Sequence, residues 1–478
     1  MWRSKRFWLA AVAILGVIAA AGSFAASGWR ANATGSVPAT SLSKSGRTSD
    51  LVAAARSSGT PMDPAAAEPG WPNLFGPHLN SVSLERGINP VWPETGPPVV
   101  WRATVGEGYS SPLAEEDDVL VFHRPVKEAS APAPDDPHPG EANHGADEVL
   151  TCFDAATGQV RWEFRHPTAY RCSTHYSSGP YSTPTLDRDR IYACGTEGNL
   201  YCLDRADGTL VWRRELWKDF GRKQEGYFPV TGSPLLVGDR LIFNLGASEA
   251  NAGIIAIDKA TGETLWQATD HKAGYATPCG ATIHGRKFVF VFTAQGLVAL
   301  DPKTGQEYWQ VNFRANNPEM VNATSPIVYH DIVFTSGHAL GNLCLQIQPD
   351  GSYKELWRDK RRNFDSQYNP LTCIDGCVYG FAALDDTFRC IDLLTGDVRW
   401  KGLREIERGA MIAADGHFLI LGTEGHLAAA RINSKKLEVV SQTNQPLIAG
   451  PAYSFPALHR GRLYLRNEKE LVSFDVRK

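Results

Sequence analysis

From about residue 97 to the C-terminus the chain is a succession of short alternating apolar runs, each cut off by turn residues. Most runs open the same way, on a small residue followed by Pro. Ser110-Ser111-Pro112, Ser182-Thr183-Pro184, Gly232-Ser233-Pro234, Ala276-Thr277-Pro278, Thr324-Ser325-Pro326, Tyr368-Asn369-Pro370 and Ser454-Phe455-Pro456 are the examples, and Gly409-Ala410-Met411 fills one further slot without its Pro. A turn such as Gly238-Asp239, Asp375-Gly376, Asp415-Gly416 or Arg460-Gly461 then leads into the next run. Period-2 alternation bounded by such turns predicts antiparallel strands joined by tight hairpins.

A second phrase recurs within this pattern. Ile257-Asp258-Lys259-Ala260-Thr261-Gly262 with Trp266 returns as Leu300-Asp301-Pro302-Lys303-Thr304-Gly305 with Trp309. It returns again around Asp154, Asp204 and Asp392, with Trp162, Trp212 and Trp400. The Asp side chain can accept hydrogen bonds from the amides just ahead of it, and Gly supplies the positive φ that closes the hairpin. The spacing of roughly 43–54 residues is that of a β-propeller blade. Eight openings predict eight four-stranded blades, two of them degenerate: one carries Ile347-Gln348-Pro349-Asp350-Gly351 with Trp357, and one carries Arg431 to Lys435 and no Trp. The last unit lacks a fourth strand. Val99-Val100-Trp101-Arg102 reads as that strand, which would close the ring and remove its open sheet edges. The fold class is therefore an all-β, eight-bladed propeller of antiparallel blades, closed by an N-terminal strand. No Trp-Asp dipeptide or Gly-Gly doublet supports a WD40 or kelch repeat.

The N-terminus reads differently. Arg3, Lys5 and Arg6 precede an apolar run from Phe7 to about Ala26, with small residues for cleavage up to Ser27. This predicts a secretory signal over residues 1–27, or a retained anchor if uncleaved. Residues 28–70 read as a disordered Ala/Ser/Gly/Thr/Pro linker, residues 71–478 as the propeller, and residues 124–147 as a disordered loop within it. A net charge of −4 gives no case for nucleic acid. A membrane contact is expected only if residues 7–26 are retained. Nine Cys in an exported chain raise the prospect of disulfides. Cys152, Cys202, Cys344 and Cys390, however, occupy a strand position that Ala256 and Ala299 fill elsewhere, and so read as small buried residues. Cys194 with Cys202, and Cys377 with Cys390, are open as hairpin pairs.

The Asp-x-x-Thr-Gly-x-x-x-Trp phrase resembles the repeats of pyrroloquinoline quinone (PQQ)-type β-propellers. Gly70-Trp71-Pro72-Asn73-Leu74-Phe75-Gly76-Pro77 looks like the start of exported PQQ-like repeat proteins of planctomycete-type bacteria. The resemblance implies one of two roles. One is a quinoprotein alcohol or sugar dehydrogenase holding PQQ and calcium on the axis. The other is a non-enzymatic scaffold such as the BamB type, with envelope proteins as partners. The chain departs from the first branch in having no adjacent Cys pair, and from the second in having no Cys before Cys152 for a lipid. The scaffold reading, without a cofactor, is preferred; PQQ with calcium is the alternative.

Loops that enter the first strand of each blade line one channel mouth, where propeller ligands sit. Tyr109, Tyr181, Tyr275, Tyr368 and Tyr453 recur just ahead of the Pro positions, and Lys272 and Arg408 are basic residues of the same loops. These seven are the candidate binding residues, by stacking and by charge. Glu107, His175, Glu319, Asn322, Asp365, Gln367 and Glu407 are further polar residues of the loops. His123, His166 and His175 have no metal-ligand spacing, so no metal site is expected. The aromatic and basic insertion 164–181, together with loop 124–147, is expected to project on the mouth face and carry a binding surface.

Overall fold

The computed structural model describes residues 60–61, 70–125, 147–172, 176–222, 229–314, 322–359 and 364–478. The expected signal or anchor, nearly all of the linker and of loop 124–147, and the candidates His175 and Glu319 lie outside them.

Eight antiparallel sheets succeed one another along the chain, seven of them running in sequence order from first strand to fourth. The first strands are Leu113–Glu115, Thr185–Asp187, Leu235–Val237, Cys279–Ile283, Ile327–Tyr329, Thr372–Ile374, Gly409–Ala414 and Ala457–His459. These strands touch their counterparts in neighbouring blades, so they form the inner wall of a ring. The eighth blade takes its outer strand from the other end of the chain. Val99–Thr104 pairs antiparallel with Glu470–Asp475, and Arg102 Nη1 meets Glu470 Oε2 at 2.6 Å. The fourth sheet has a fifth member, Thr60–Pro61, paired with Ala281 and Thr282 of the inner strand.

The repeated phrases are the seams between blades. Asp154, Asp258, Asp301 and Asp392 each accept bonds from the two amides two and three residues on, at 2.7–3.1 Å. The turn Gly that follows has φ near +75°, at Gly158, Gly208, Gly262, Gly305 and Gly396. The outer-strand Trp of the preceding blade lies on that Gly. A Cβ at Gly305 would come within 2.6 Å of the Trp266 ring, and one at Gly208 within 2.5 Å of Trp162. The indole N–H donates to a carbonyl of the same turn, Trp266 to Pro302 O at 3.1 Å and Trp400 to Asn433 O at 2.8 Å. Trp and Gly are thus one packing unit split between two blades, in which the indole buries its face and satisfies its donor.

The small residue before each Pro forms a second seam nearer the axis. Its hydroxyl accepts the amide N–H of the same position in the preceding blade. Phe455 donates to Ser111, Ser111 to Thr183, Thr183 to Ser233, Ser233 to Thr277 and Thr277 to Ser325, at 2.8–3.0 Å. The run stops at Asn369 and Ala410, which have no hydroxyl at that position.

The leader Gly70–Gly96 lies on the inner wall and then leaves by the far end. Trp71 bridges to Ala114, Pro72 O accepts from Leu186 N, and Ser81 and Ser83 pair with Ala413. Glu85 then accepts from the amides of Arg460 and Gly461, and Gly87 N donates to Asp415, all in turns at the opposite end of the inner strands. The segment therefore fills the central channel. Trp71 is 1% exposed, and Gly76, at φ +74°, lies against its ring where a Cβ would come within 2.7 Å.

All nine cysteines are thiols, and eight of them are buried. Burial raises Cys194, Cys279 and Cys344 above the usual thiol range. His123 accepts from Gly106 N at 2.8 Å and bonds Thr151 Oγ1 at 2.9 Å, and burial lowers its pKa to about 3. His166 packs beside Glu148 at 3.2 Å, buried among Phe122, Phe164 and Tyr201. Both are core histidines, His123 bonded through both ring nitrogens. Among the described residues no helix is long and apolar enough to cross a membrane.

Candidate functional site at the channel mouth

A cavity of about 200 Å³ opens where the chain enters the inner strands. Its wall follows one rule. The residue three places before the Pro, or before Met411 in the seventh blade, lines it in every blade. Those residues are Tyr109, Tyr181, Thr231, Tyr275, Ala323, Gln367, Arg408 and Tyr453. All inner strands run in the same direction, so this register brings eight equivalent positions to one level around the axis.

Four of the five expected Tyr residues hold that position. Tyr368 also lines the cavity but sits one residue later, because Gln367 has the equivalent place in its blade. Arg408 occupies the slot in the blade that lacks Pro. Lys272 does not line the cavity: it lies exposed three residues before Tyr275, where its backbone bonds Gln295 Oε1 and Ala294 N. Asn322 is buried and donates to Thr293 O and Phe313 O, and Asp365 accepts from Leu384 N, so both hold loops in place. Glu107 pairs through its backbone with Arg124.

Leu74 and Phe75 of the leader form part of the lining, with Phe75 6.0 Å from Phe455. The wall is aromatic and tightly braced. Tyr109 stands edge-on to Tyr181 and to Tyr453, with ring centroids 4.9 and 5.1 Å away. The described part of the insertion after Val160–Pro167 adds Tyr176 to the lining, and Ser177 clamps two rings. Ser177 N donates to Tyr109 Oη at 3.0 Å, and Tyr181 Oη donates to Ser177 O at 2.6 Å. Burial, as the main cause, pushes the phenols of Tyr109, Tyr181, Tyr368 and Tyr453 up, so the rings are neutral at physiological pH. Arg408 Nη1 donates to Gln367 Oε1 at 2.7 Å, and its Nε lies 3.6 Å from Asp386.

Two buried arginines hold this face. Arg466, fully buried, donates to the carbonyls of Ser110, Phe122, Gly106 and Asn467, and Arg124 donates to Tyr170 O. Sequence reasoning missed both, along with Leu74, Phe75 and Phe455 of the lining, whereas Tyr176 belongs to the insertion expected at this mouth. The clustered aromatic and apolar residues of the leader were the available signal for Leu74 and Phe75.

The lining does not fit PQQ with calcium. No carboxylate lines it, and no group of three His, Cys, Asp or Glu among the described residues has metal-binding geometry. Its volume lies below the roughly 300–1,000 Å³ of drug-sized ligand sites.

A family model described as outer membrane protein assembly factor BamB matches residues 146–402. The protein of that name from Kangiella koreensis is 28% identical over 138 residues, which is 28% of this chain and 31% of the relative. The chain thus matches less than a third of that relative's length. Among solved structures, BamB from Moraxella catarrhalis aligns with a TM-score of 0.53 and 15% identity, over 79% of this chain and 97% of that one. Quinohemoprotein alcohol dehydrogenase from Comamonas testosteroni aligns with a TM-score of 0.55 and 14% identity, over 90% and 84%. At such identities both likenesses show the fold alone.

Proposed function

Because the chain belongs to the PQQ-like β-propeller family described as outer membrane protein assembly factor BamB, we propose that it works as a binding or assembly module of the cell envelope. The observation that carries this reading is the channel. Its own leader fills it from the far end up to Leu74 and Phe75, which leaves a shallow aromatic recess at one mouth. A recess rimmed by the exposed Tyr176 suits capture of a partner's side chains, since aromatic anchors concentrate binding energy in few contacts. The large apolar residues exposed elsewhere lean the other way. Val99, Val160, Leu210, Val211, Leu265, Val398 and Val439 are spread over the outer strands of six blades, so they are not gathered on one blade. Export rests on the basic and apolar N-terminus, and envelope proteins are the expected partners. A quinoprotein activity is disfavoured by the donor set of the lining.

Photo-crosslinking in cells tests the proposal. A crosslinker at Tyr176 or Thr231 is expected to give a discrete adduct, and one at Val211 on an outer strand none. Equal adducts from mouth and rim, or none from the mouth, would overturn it.

A further inference from the structure

The recess has a chemistry that capture of a protein does not require. Tyr181, Tyr109, Tyr453 and Tyr368 form a chain of rings, each nearly perpendicular to the next, at 88°, 80° and 87°. These are edge-to-face contacts, so the four rings brace one another without stacking, and all four line the recess. Tyr275 and Phe75 add further aromatic surface to it. Ring faces carry negative potential, so a recess walled by aromatic rings attracts an organic cation. The charge around the rings is mixed: Glu468 acts on Tyr109, and Arg408 acts on Tyr453 ahead of Glu424 and Glu407.

Arg408 breaks this pattern. It is the charged residue of the lining, and it sits at the level of the tyrosines because its blade places it in their slot. A guanidinium has five N–H donors, and the contacts to Gln367 and Asp386 do not use them all. A plain cation would be repelled by Arg408. A plain anion would gain nothing from the rings and would meet the nearby carboxylates. A molecule carrying both charges satisfies both walls, and the small volume restricts it to a compact one.

We propose that the recess binds a compact zwitterion, with a trimethylammonium group among the tyrosines and a carboxylate or phosphate on Arg408. This goes beyond the docking role and does not depend on a protein partner. The same chemistry has two sources, a free betaine-type solute or a phosphocholine headgroup.

The test is calorimetric titration of the purified full chain with four probes: glycine betaine, phosphocholine, tetramethylammonium and 3,3-dimethylbutyrate. The last has the shape of a betaine without the positive charge. At least one zwitterion should bind about fivefold or more tighter than 3,3-dimethylbutyrate, the scale of a cation–π contact. Arg408→Gln should erase the zwitterion's advantage over tetramethylammonium while leaving tetramethylammonium binding in place. Tyr453→Leu should weaken all the cationic probes, and Tyr453→Phe should restore them. Co-sedimentation with phosphatidylcholine vesicles, but not phosphatidylglycerol vesicles, would assign the headgroup as the source; binding of free solute alone would assign the solute. Equal binding of 3,3-dimethylbutyrate and betaine, an unchanged preference in Arg408→Gln, or no heat from any probe at millimolar concentration would overturn the proposal. If either variant fails to fold, the comparison of probes on the wild-type chain still decides it.

Discussion

Gly305→Ala isolates what the Trp–Gly seam contributes, because the same blade holds its control. Gly305 has φ +73° and Gly285 has φ +76°, so an Ala at either position meets the same left-handed backbone, at about 1–2 kcal/mol. At Gly285 the new Cβ meets nothing within 4 Å. At Gly305 it would lie 2.6 Å from two atoms of the Trp266 ring, so the indole must move. Trp266 is buried, and full expulsion would re-expose roughly 150–250 Å², or about 4–6 kcal/mol. Half of that, with loss of the bond to Pro302 O at about 1 kcal/mol, adds about 3–4 kcal/mol to the backbone term. Urea unfolding followed by circular dichroism should therefore show Gly285→Ala about 1–2 kcal/mol below wild type and Gly305→Ala about 4–6 kcal/mol below it. Trp266→Leu combined with Gly305→Ala should cost less than the sum of the two, since the clash disappears with the indole. A difference between the two Gly variants smaller than about 1 kcal/mol would refute the claim that the seam, and not the turn alone, holds neighbouring blades together.

Three further outcomes follow from other parts of the molecule. Phe75→Ala should cost about 2–4 kcal/mol in the same assay and deepen the recess, read as new binding of an apolar dye that wild type excludes. Neutral, buried His123 has a folded pKa of about 3 against the usual 6.5, so only the unfolded chain takes up its proton as pH falls. Its contribution to stability is thus present above pH 6.5 and drains away towards pH 3, by about 3 kcal/mol at pH 4, and His123→Gln should flatten that part of the pH–stability curve. Burial holds Cys373, the one half-exposed thiol, protonated, so thiol titration should find no fast-reacting cysteine in the native protein and nine after denaturation without reductant; fewer than nine would reveal a disulfide.

The repeat was legible because its chemistry is local. The Asp that binds the amides ahead of it, the Gly at positive φ and the Trp four residues on are all set within one hairpin, and each recurs where the phrase recurs. Tyr109, Tyr181, Tyr275 and Tyr453 could be grouped for the same reason, since a fixed distance from Pro becomes a fixed height on the inner wall. The register misled where the phrase weakened. Tyr368 stands one place off, Gln367 has its slot, and Lys272, three residues before Tyr275, points away from the recess. The leader was recognisable as a phrase, but its course through the channel was not legible. Its bonds to Ala114, Leu186 and Ala413 join residues that only the closed ring brings together, and nothing in the local sequence encodes them. Arg466 was hidden similarly, because the carbonyls of Gly106, Ser110 and Phe122 that it gathers lie more than 340 residues earlier in the chain.

The pairing of Val99–Thr104 with Glu470–Asp475 sets an order of events as well as a shape. During synthesis the early strand emerges first and must wait, unpaired, for nearly the whole remaining chain. Until then the last blade lacks its outer strand, the first blade lacks a neighbour on one face, and Tyr109 lacks its neighbour Tyr453. The recess is thus an all-or-nothing product of completion, since a chain halted before Phe455 has neither a closed ring nor a finished wall. Such late, long-range closure makes for slow maturation and a long-lived open intermediate. That intermediate is the species on which a holding chaperone would act.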